Sequence, residues 1–473
     1  MPCQHGGATF ALTLYCEKVL DGTGQMCYNS RKAFRAPLSW CAGEKDRRQT
    51  AVSLYYVICG RFFDGVHQEL KEHIKILIEG NRIKEVGEKV ACPAEAQVID
   101  LSHLTVTPGL IDAHVHFDFL ASQTGGPGVR FLASDEMKTL TLLYNARKSL
   151  KGGFTTVRHA GGKITGYGAV DVKRAIDNGM FEASRMMVIA HSINTPGSHT
   201  DASTYFRSNP ALAEAVQGLF PNVGTGVDYA RAMARKEIKY GADVVKLMAT
   251  GGFASPNDGP EEMQLEEDEI KAVLDVARHL GKPTTAHVYS AEMVTLLVNL
   301  GITGVEHASM IDRKTVELML EKGTYVVPTF VPYEEIIRGD EAMLSKKTPE
   351  FQAKLRQYAE KLRAGREVLV DAILHTDLLV GYGTDIVSLY PNYDCWREFK
   401  AWRDSGIPAL RTLVAATSDN AKILRRPELG SIAPGQLADL AGWSRDILED
   451  HEALSQCDFV MKDGKVVDLT SEW

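Results

Sequence analysis

From position 53 onward, short apolar runs alternate with amphipathic stretches, whereas the first 50 residues hold neither period for long. Ser53-Leu54-Tyr55-Tyr56-Val57-Ile58-Cys59-Gly60-Arg61-Phe62-Phe63-Asp64-Gly65 is β-branched and aromatic and ends in turn residues, which predicts a strand. The stretch 74–87 predicts two more strands around Gly80-Asn81. These make a small β region over 51–104, and residues 1–50 are expected to be a poorly ordered extension.

Past Val106 the pattern becomes strand, loop, helix, repeated. Eight apolar runs suited to buried parallel strands lie at 105–116, 155–160, 186–191, 244–250, 283–288, 304–309, 324–330 and 378–385. Helical periodicity fills the gaps at 135–150, 227–240, 266–280 and 313–322, and 348–374 reads as one long amphipathic helix inserted before the eighth run. Alternating strands and helices imply a parallel sheet, and eight units over roughly 280 residues predict a (β/α)8 TIM barrel. Its span is 105–425. The β texture returns over 426–473, where Phe459–Val467 mirrors the turn near Gly80. The expected fold is therefore α/β: a barrel beside a small β-sandwich formed by both ends of the chain.

Composition narrows the function classes. With 473 residues, 44% hydrophobic and 24% charged, the chain has an ordinary globular make-up and room for a large core. A net charge of -8 argues against nucleic acid as a partner. No apolar stretch approaches the roughly 18 residues of a membrane span, so no membrane partner is expected. The run Ala8-Thr9-Phe10-Ala11-Leu12-Thr13-Leu14-Tyr15-Cys16 has no basic segment before it, and the expectation is a cytoplasmic enzyme. Cys3, Cys16, Cys27 and Cys41 match no paired zinc-binding spacing and read as incidental thiols.

The candidate chemistry sits at the C-terminal ends of the runs, where a barrel carries its site. His114-Val115-His116 closes the first run, and period-two geometry puts both imidazoles on one face. Lys246 lies in the fourth run, His287 ends the fifth, His307 the sixth and Asp385 the eighth. Taken singly, each has a plain structural explanation: a hydrogen-bonded strand histidine, a snorkelling lysine, a helix-capping aspartate. Together they are different. Polar groups buried without partners at equivalent ends of apolar strands would each cost several kcal/mol, and this set matches divalent-metal ligands.

Pro108-Gly109-Leu110-Ile111-Asp112-Ala113-His114-Val115-His116 resembles the first-strand signature of the amidohydrolase superfamily. Gly153-Phe154-Thr155-Thr156-Val157-Arg158, Lys246-Leu247-Met248-Ala249-Thr250-Gly251-Gly252 and Gly383-Thr384-Asp385 are similar to its imidazolonepropionase-like branch. That branch includes prolidase-type dipeptidases, Xaa-Arg and other carboxypeptidases, and ochratoxinase. The resemblance implies two divalent metal ions, zinc by expectation. His114, His116 and Asp385 would hold one, His287 and His307 the other, and Lys246, carboxylated by carbon dioxide, would bridge them. It further implies attack by a hydroxide bridging the metals, with Asp385 as general base and then acid.

The implied substrate is a small molecule with an amide bond and a free carboxylate, a dipeptide or an N-acyl amino acid. Arg158, His159, His199 and Tyr289 are the candidate substrate contacts. His159 stands where the branch usually has aspartate, and Gly197-Ser198-His199-Thr200-Asp201 replaces two glycines of the branch's loop. Gly251-Gly252 would let substrate approach the backbone. Two rival functions remain: a mononuclear cyclic-amide hydrolase or deaminase, and a non-catalytic scaffold. Ser290 stands where deaminases usually carry a glutamate, and the ligand set is whole, so both rivals are disfavoured. Homo-oligomerisation is left open.

Overall fold

A computed structural model describes residues 53–119, 133–162, 164–219, 222–387 and 390–471. The expectation for residues 1–50 falls outside them. Strands from the two ends of the described chain meet in one sheet. β1 (Leu54–Phe62), β2 (Lys71–Glu72), β3 (Lys75–Glu79), β4 (Arg82–Gly87) and β5 (Gln97–Pro108) come from the first end. Three further strands, Leu440–Trp443, Phe459–Lys462 and Lys465–Val466, come from the other. Leu440–Trp443 runs antiparallel to β5 with Leu440 opposite Pro108, while β1 runs parallel to β5. Alternate residues Val57 and Cys59, with Ile76 and Ile78, turn to one face and bury it with Leu440 and Met461.

The remaining strands are parallel and buried. β6 (Leu110–Val115), β7 (Phe154–Ala160) and β8 (Arg185–Ile189) form one sheet in that order. β9 (Ser192–Ile193), β10 (Val245–Met248), β11 (Thr284–Ser290), β12 (Gly304–Met310) and β13 (Tyr325–Val327) form a second. Every residue of β6, β7, β10, β11, β12 and β13 is buried, as expected of parallel strands covered on both faces. Helices such as Asp135–Lys151, Val227–Tyr240, Glu267–His279 and Arg313–Lys322 separate them in sequence. Between β8 and β10 the Asp243 amide donates to Val188 O at 2.8 Å.

Three expectations need correction. The first run, 105–116, is two strands: residues 105–108 pair with Leu440–Trp443, and only Leu110–Val115 joins β7. The switch occurs at Gly109, whose amide donates to Asp439 O at 2.8 Å while the next amide, Leu110, donates to Gly153 O at 2.9 Å. A Cβ at Gly109 would collide with the Thr155 side chain, so this joint requires glycine. The eighth run forms no regular strand, although Gly381 donates to Val326 O in β13 and Ala113 of β6 donates to Tyr382 O, both at 2.8 Å. The inserted helix is two, Pro349–Gln357 and Ala359–His375. The break falls at Tyr358, whose ring packs edge-on against Phe253 at 5.9 Å.

Candidate metal centre

β6 delivers Asp112, His114 and, just past its end, His116 to one side of the sheet. His114 Nε2 lies 3.3 Å from His116 Nε2 and 3.5 Å from Asp385 Oδ1, and His116 Nε2 lies 3.3 Å from the same oxygen. Donors about 2.0–2.1 Å from a tetrahedral zinc stand roughly 3.3–3.4 Å apart, so this triangle fits one divalent cation. His287 Nδ1 and His307 Nε2 converge to 2.8 Å beside it. His307 Nδ1 lies 3.9 Å from Asp385 Oδ2, and His114, His307 and Asp385 together present donors within 4.8 Å of one another.

The ring orientations are set from outside the triangle. His114 Nδ1 meets Glu306 Oε2 at 2.7 Å, and His116 Nδ1 donates to Gly161 O at 2.5 Å. Both contacts put the proton on Nδ1 and leave Nε2 with its lone pair toward the centre. Thr329 Oγ1 holds His307 Nδ1 at 2.7 Å. His307, Ala308, Thr329 and Asp385 all have positive φ, at 69, 48, 48 and 46°. Such non-glycine strain marks functional sites. At β12 it has a direct effect: Glu306 and His307 are adjacent, yet both reach the centre.

Burial lowers the pKa of His114 and His287 far below the ordinary value and that of His307 to about 4, keeping the rings neutral. For Asp385 burial opposes ionisation, but positive charge at His114 and His307 and a hydrogen bond from His116 lower its pKa, a role that a bound cation would take over once the rings are neutral. Lys246 Nζ donates to Ala160 O at 3.1 Å, and desolvation lowers its pKa too.

His116, Lys246, His287, His307 and Asp385 line one pocket with His199 and Tyr289, and the wholly buried His114 lies against His116. Phe253, Tyr205, Tyr333, Phe351, Met248 and Pro332 give that pocket an apolar wall. Tyr289 stacks on His307 with centroids 5.2 Å apart, and its hydroxyl accepts from Tyr333 at 2.7 Å. His199 stacks on His287 at 4.6 Å.

Two of the expected substrate contacts are placed elsewhere. Arg158 is wholly buried under the centre, where it donates to Glu306 at 2.6 Å, Tyr325 at 2.9 Å and Ala113 O at 2.5 Å. It supports the floor and does not face the pocket. His159 is also sealed, with Nε2 3.8 Å from Asp118, and does not line the pocket. Gly252 makes room for the His199 ring, which a Cβ there would strike, so its smallness already serves a side chain of the protein.

Sequence reasoning missed Glu306, Asp112 and Thr329. Asp112 accepts from Thr384 Oγ1 at 2.7 Å and from the His114 amide at 3.0 Å, tying the first and eighth runs together. A carboxylate inside an apolar strand, as in Gly304-Val305-Glu306-His307, was the available signal.

An α/β fold thus brings histidines from parallel strand ends together with Asp385, and His114, His307 and Asp385 could hold a metal ion. The chain belongs to the amidohydrolase family, whose sequence profile matches residues 105–467. Ochratoxinase of Aspergillus niger is 26% identical over 363 residues, 72% of this chain and 71% of that protein. Imidazolonepropionase of Anaeromyxobacter dehalogenans is 26% identical over 442 residues, 83% of this chain and 90% of that one. The solved structure of a Xaa-Pro dipeptidase with methionine bound in its active site matches with a TM-score of 0.77 at 28% identity, covering 88% of this chain and 100% of that chain.

Proposed function

We propose that this chain is a binuclear metal-dependent amidohydrolase that cleaves the amide bond of a dipeptide or N-acyl amino acid with a free carboxylate. The observation that carries the reading is the 3.3–3.5 Å triangle of His114 Nε2, His116 Nε2 and Asp385 Oδ1 with the His287–His307 pair beside it. His114, His116 and Asp385 would hold one cation and His287 and His307 the other, with zinc as the expected metal. Lys246 is assigned as the bridge after carboxylation. Carbon dioxide adds only to a neutral amine, and the lowered pKa of the buried Lys246 supports that chemistry.

Bound there, divalent cations supply Lewis acidity and bring the ionisation of water toward neutral pH. Asp385 stays ionised; Oδ1 faces the His114–His116 pair, which leaves Oδ2 to accept a proton from water and return it to the leaving nitrogen. Among the described residues the pocket is lined by no arginine, so the substrate carboxylate is assigned to His199, which would take up a second proton at Nε2 as that anion binds, and the apolar wall to an apolar substrate side chain. Tyr289 would border that side chain.

The same reading takes the parallel strands, with the eighth run between β13 and β6, as a (β/α)8 barrel over 105–425. It takes 51–104 and 426–473 as a β-sandwich, with 1–50 as an extension, in a cytoplasmic enzyme. Among the described residues no helix is long and apolar enough to cross a membrane. The test is elemental analysis of protein expressed with zinc and bicarbonate. Two metals per chain, with hydrolysis of dipeptides or N-acyl amino acids, is the expected result. One metal would replace this reading with a mononuclear cyclic-amide hydrolase, and none with a scaffold.

A further inference from the structure

The two inserted helices do more than cover the pocket. Lys354, on Pro349–Gln357, reaches under the loop that follows β10 and donates to Gly252 O at 2.7 Å and Ser255 O at 2.6 Å. It also pairs with Asp258 Oδ1 at 3.1 Å, and that carboxylate is 2% exposed. Asp258 Oδ2 accepts from the Gly252 amide at 3.1 Å, and Oδ1 accepts the hydroxyl proton of Ser255 in a close contact. Having donated its proton to Asp258, Ser255 Oγ can only accept from His199 Nδ1, which lies 2.7 Å away. The ring so fixed is the one stacked on His287 and facing the pocket.

From this chain of contacts we infer that Lys354 is a positioning residue for substrate binding. Through Asp258 and Ser255 it sets the orientation of His199 and places its proton on Nδ1. The ammonium does three things that no neutral side chain of that length does together. It neutralises a buried carboxylate, ties two carbonyls of one loop, and holds Asp258 in place as the acceptor that orders Ser255. A helix inserted far along the sequence thereby controls a side chain over the metal centre. The inference rests on the amidohydrolase reading for its kinetic consequence but not for its structural one, and the experiment separates the two.

Lys354→Met, Lys354→Arg and Ser255→Ala are compared with the wild type in two assays. The first is the nitrogen-15 shift pair of His199 in histidine-labelled protein, assigned with His199→Gln. The second is kcat and KM for N-benzoylglycyl-L-phenylalanine, with zinc content measured on each sample. The wild type is expected to show a single tautomer protonated at Nδ1. Lys354→Met and Ser255→Ala lose that signature, and Lys354→Arg restores at least part of it. KM rises about tenfold in the first two while kcat changes by less than about threefold and zinc content holds. Unchanged His199 shifts in Lys354→Met and Ser255→Ala overturn the inference, as does a fall in kcat with KM constant. If the wild type binds zinc but turns over no amide, the functional reading fails and the nitrogen shifts alone decide the role of Lys354. Ser255→Ala removes a single hydroxyl, so the test survives a Lys354→Met protein that does not fold.

Discussion

The two histidine pairs of the centre are held in opposite ways. In the His114–His116 pair each Nδ1 is committed to a fixed acceptor, Glu306 at 2.7 Å and Gly161 O at 2.5 Å, so both Nε2 atoms are aimed before any cation arrives. In the His287–His307 pair the rings meet each other at 2.8 Å, and among the described residues His287 Nε2 is buried with no hydrogen-bond partner. One half has both rings fixed by acceptors outside it; in the other Thr329 fixes only His307, and His287 depends on its partner ring and on stacking. That difference predicts a tight first site and a conditional second one.

The largest effect should come from the residue assigned to both halves. Lys246→Ala is expected to lower metal occupancy and turnover by several orders of magnitude; two retained metals with near-full turnover would remove the bridge from the proposal. Next, His287→Ala should lose one metal per chain and keep the other, whereas His114→Ala should lose both. Equal losses from the two, by elemental analysis, would erase the contrast. Glu306→Gln attacks the organised half through its support. It leaves Arg158 buried without its carboxylate, a change of about 3–5 kcal/mol in unfolding free energy, and weakens the first site about 10–100-fold. Chemical denaturation and metal titration check the two figures.

Acid should act on the metal-free protein in a defined window. Burial lowers His159 and His307 from 6.5 to about 4, so between those values the unfolded chain binds more protons than the folded one. The stability from these two rings is fully present above pH 6.5 and is lost as pH falls toward 4. Denaturation of chelator-treated protein across that range should show it, and His159→Gln should make the dependence shallower. Thr329→Val should do least: it removes one hydrogen bond to His307, worth about 0.5–1.5 kcal/mol, and should loosen only the second site by roughly tenfold or less.

The sequence made the candidate ligand positions legible because they repeat one rule: an apolar run followed by a polar residue. His114 and His116 came from strand periodicity, and His287, His307 and Asp385 from their place at run ends. What it hid was set by backbone detail. Alternation puts Glu306 and His307 on opposite faces, and only the positive φ of His307 brings both to the centre. Arg158 looked like a substrate contact because nothing local reveals that its partner is a buried carboxylate 148 residues away. The unbroken pattern over 105–116 concealed the change of partner at Gly109, since both strands are equally apolar there. Tyr358 fits a helical period as well as a break, and only its aromatic neighbour Phe253 shows why the helix ends.

The joint at Gly109 has a further meaning for modularity. The last residue paired in the end sheet and the first paired beside β7 are separated by one residue, and that second strand carries His114 and His116. The sheet is thus a mounting for the strand that carries His114 and His116 and not an appendage that can be trimmed. A chain shortened to residues 105–467 would keep 105–108 paired with Leu440–Trp443 but would strip that mounting of β1 to β4, exposing the apolar face that Val57, Cys59, Ile76 and Ile78 bury.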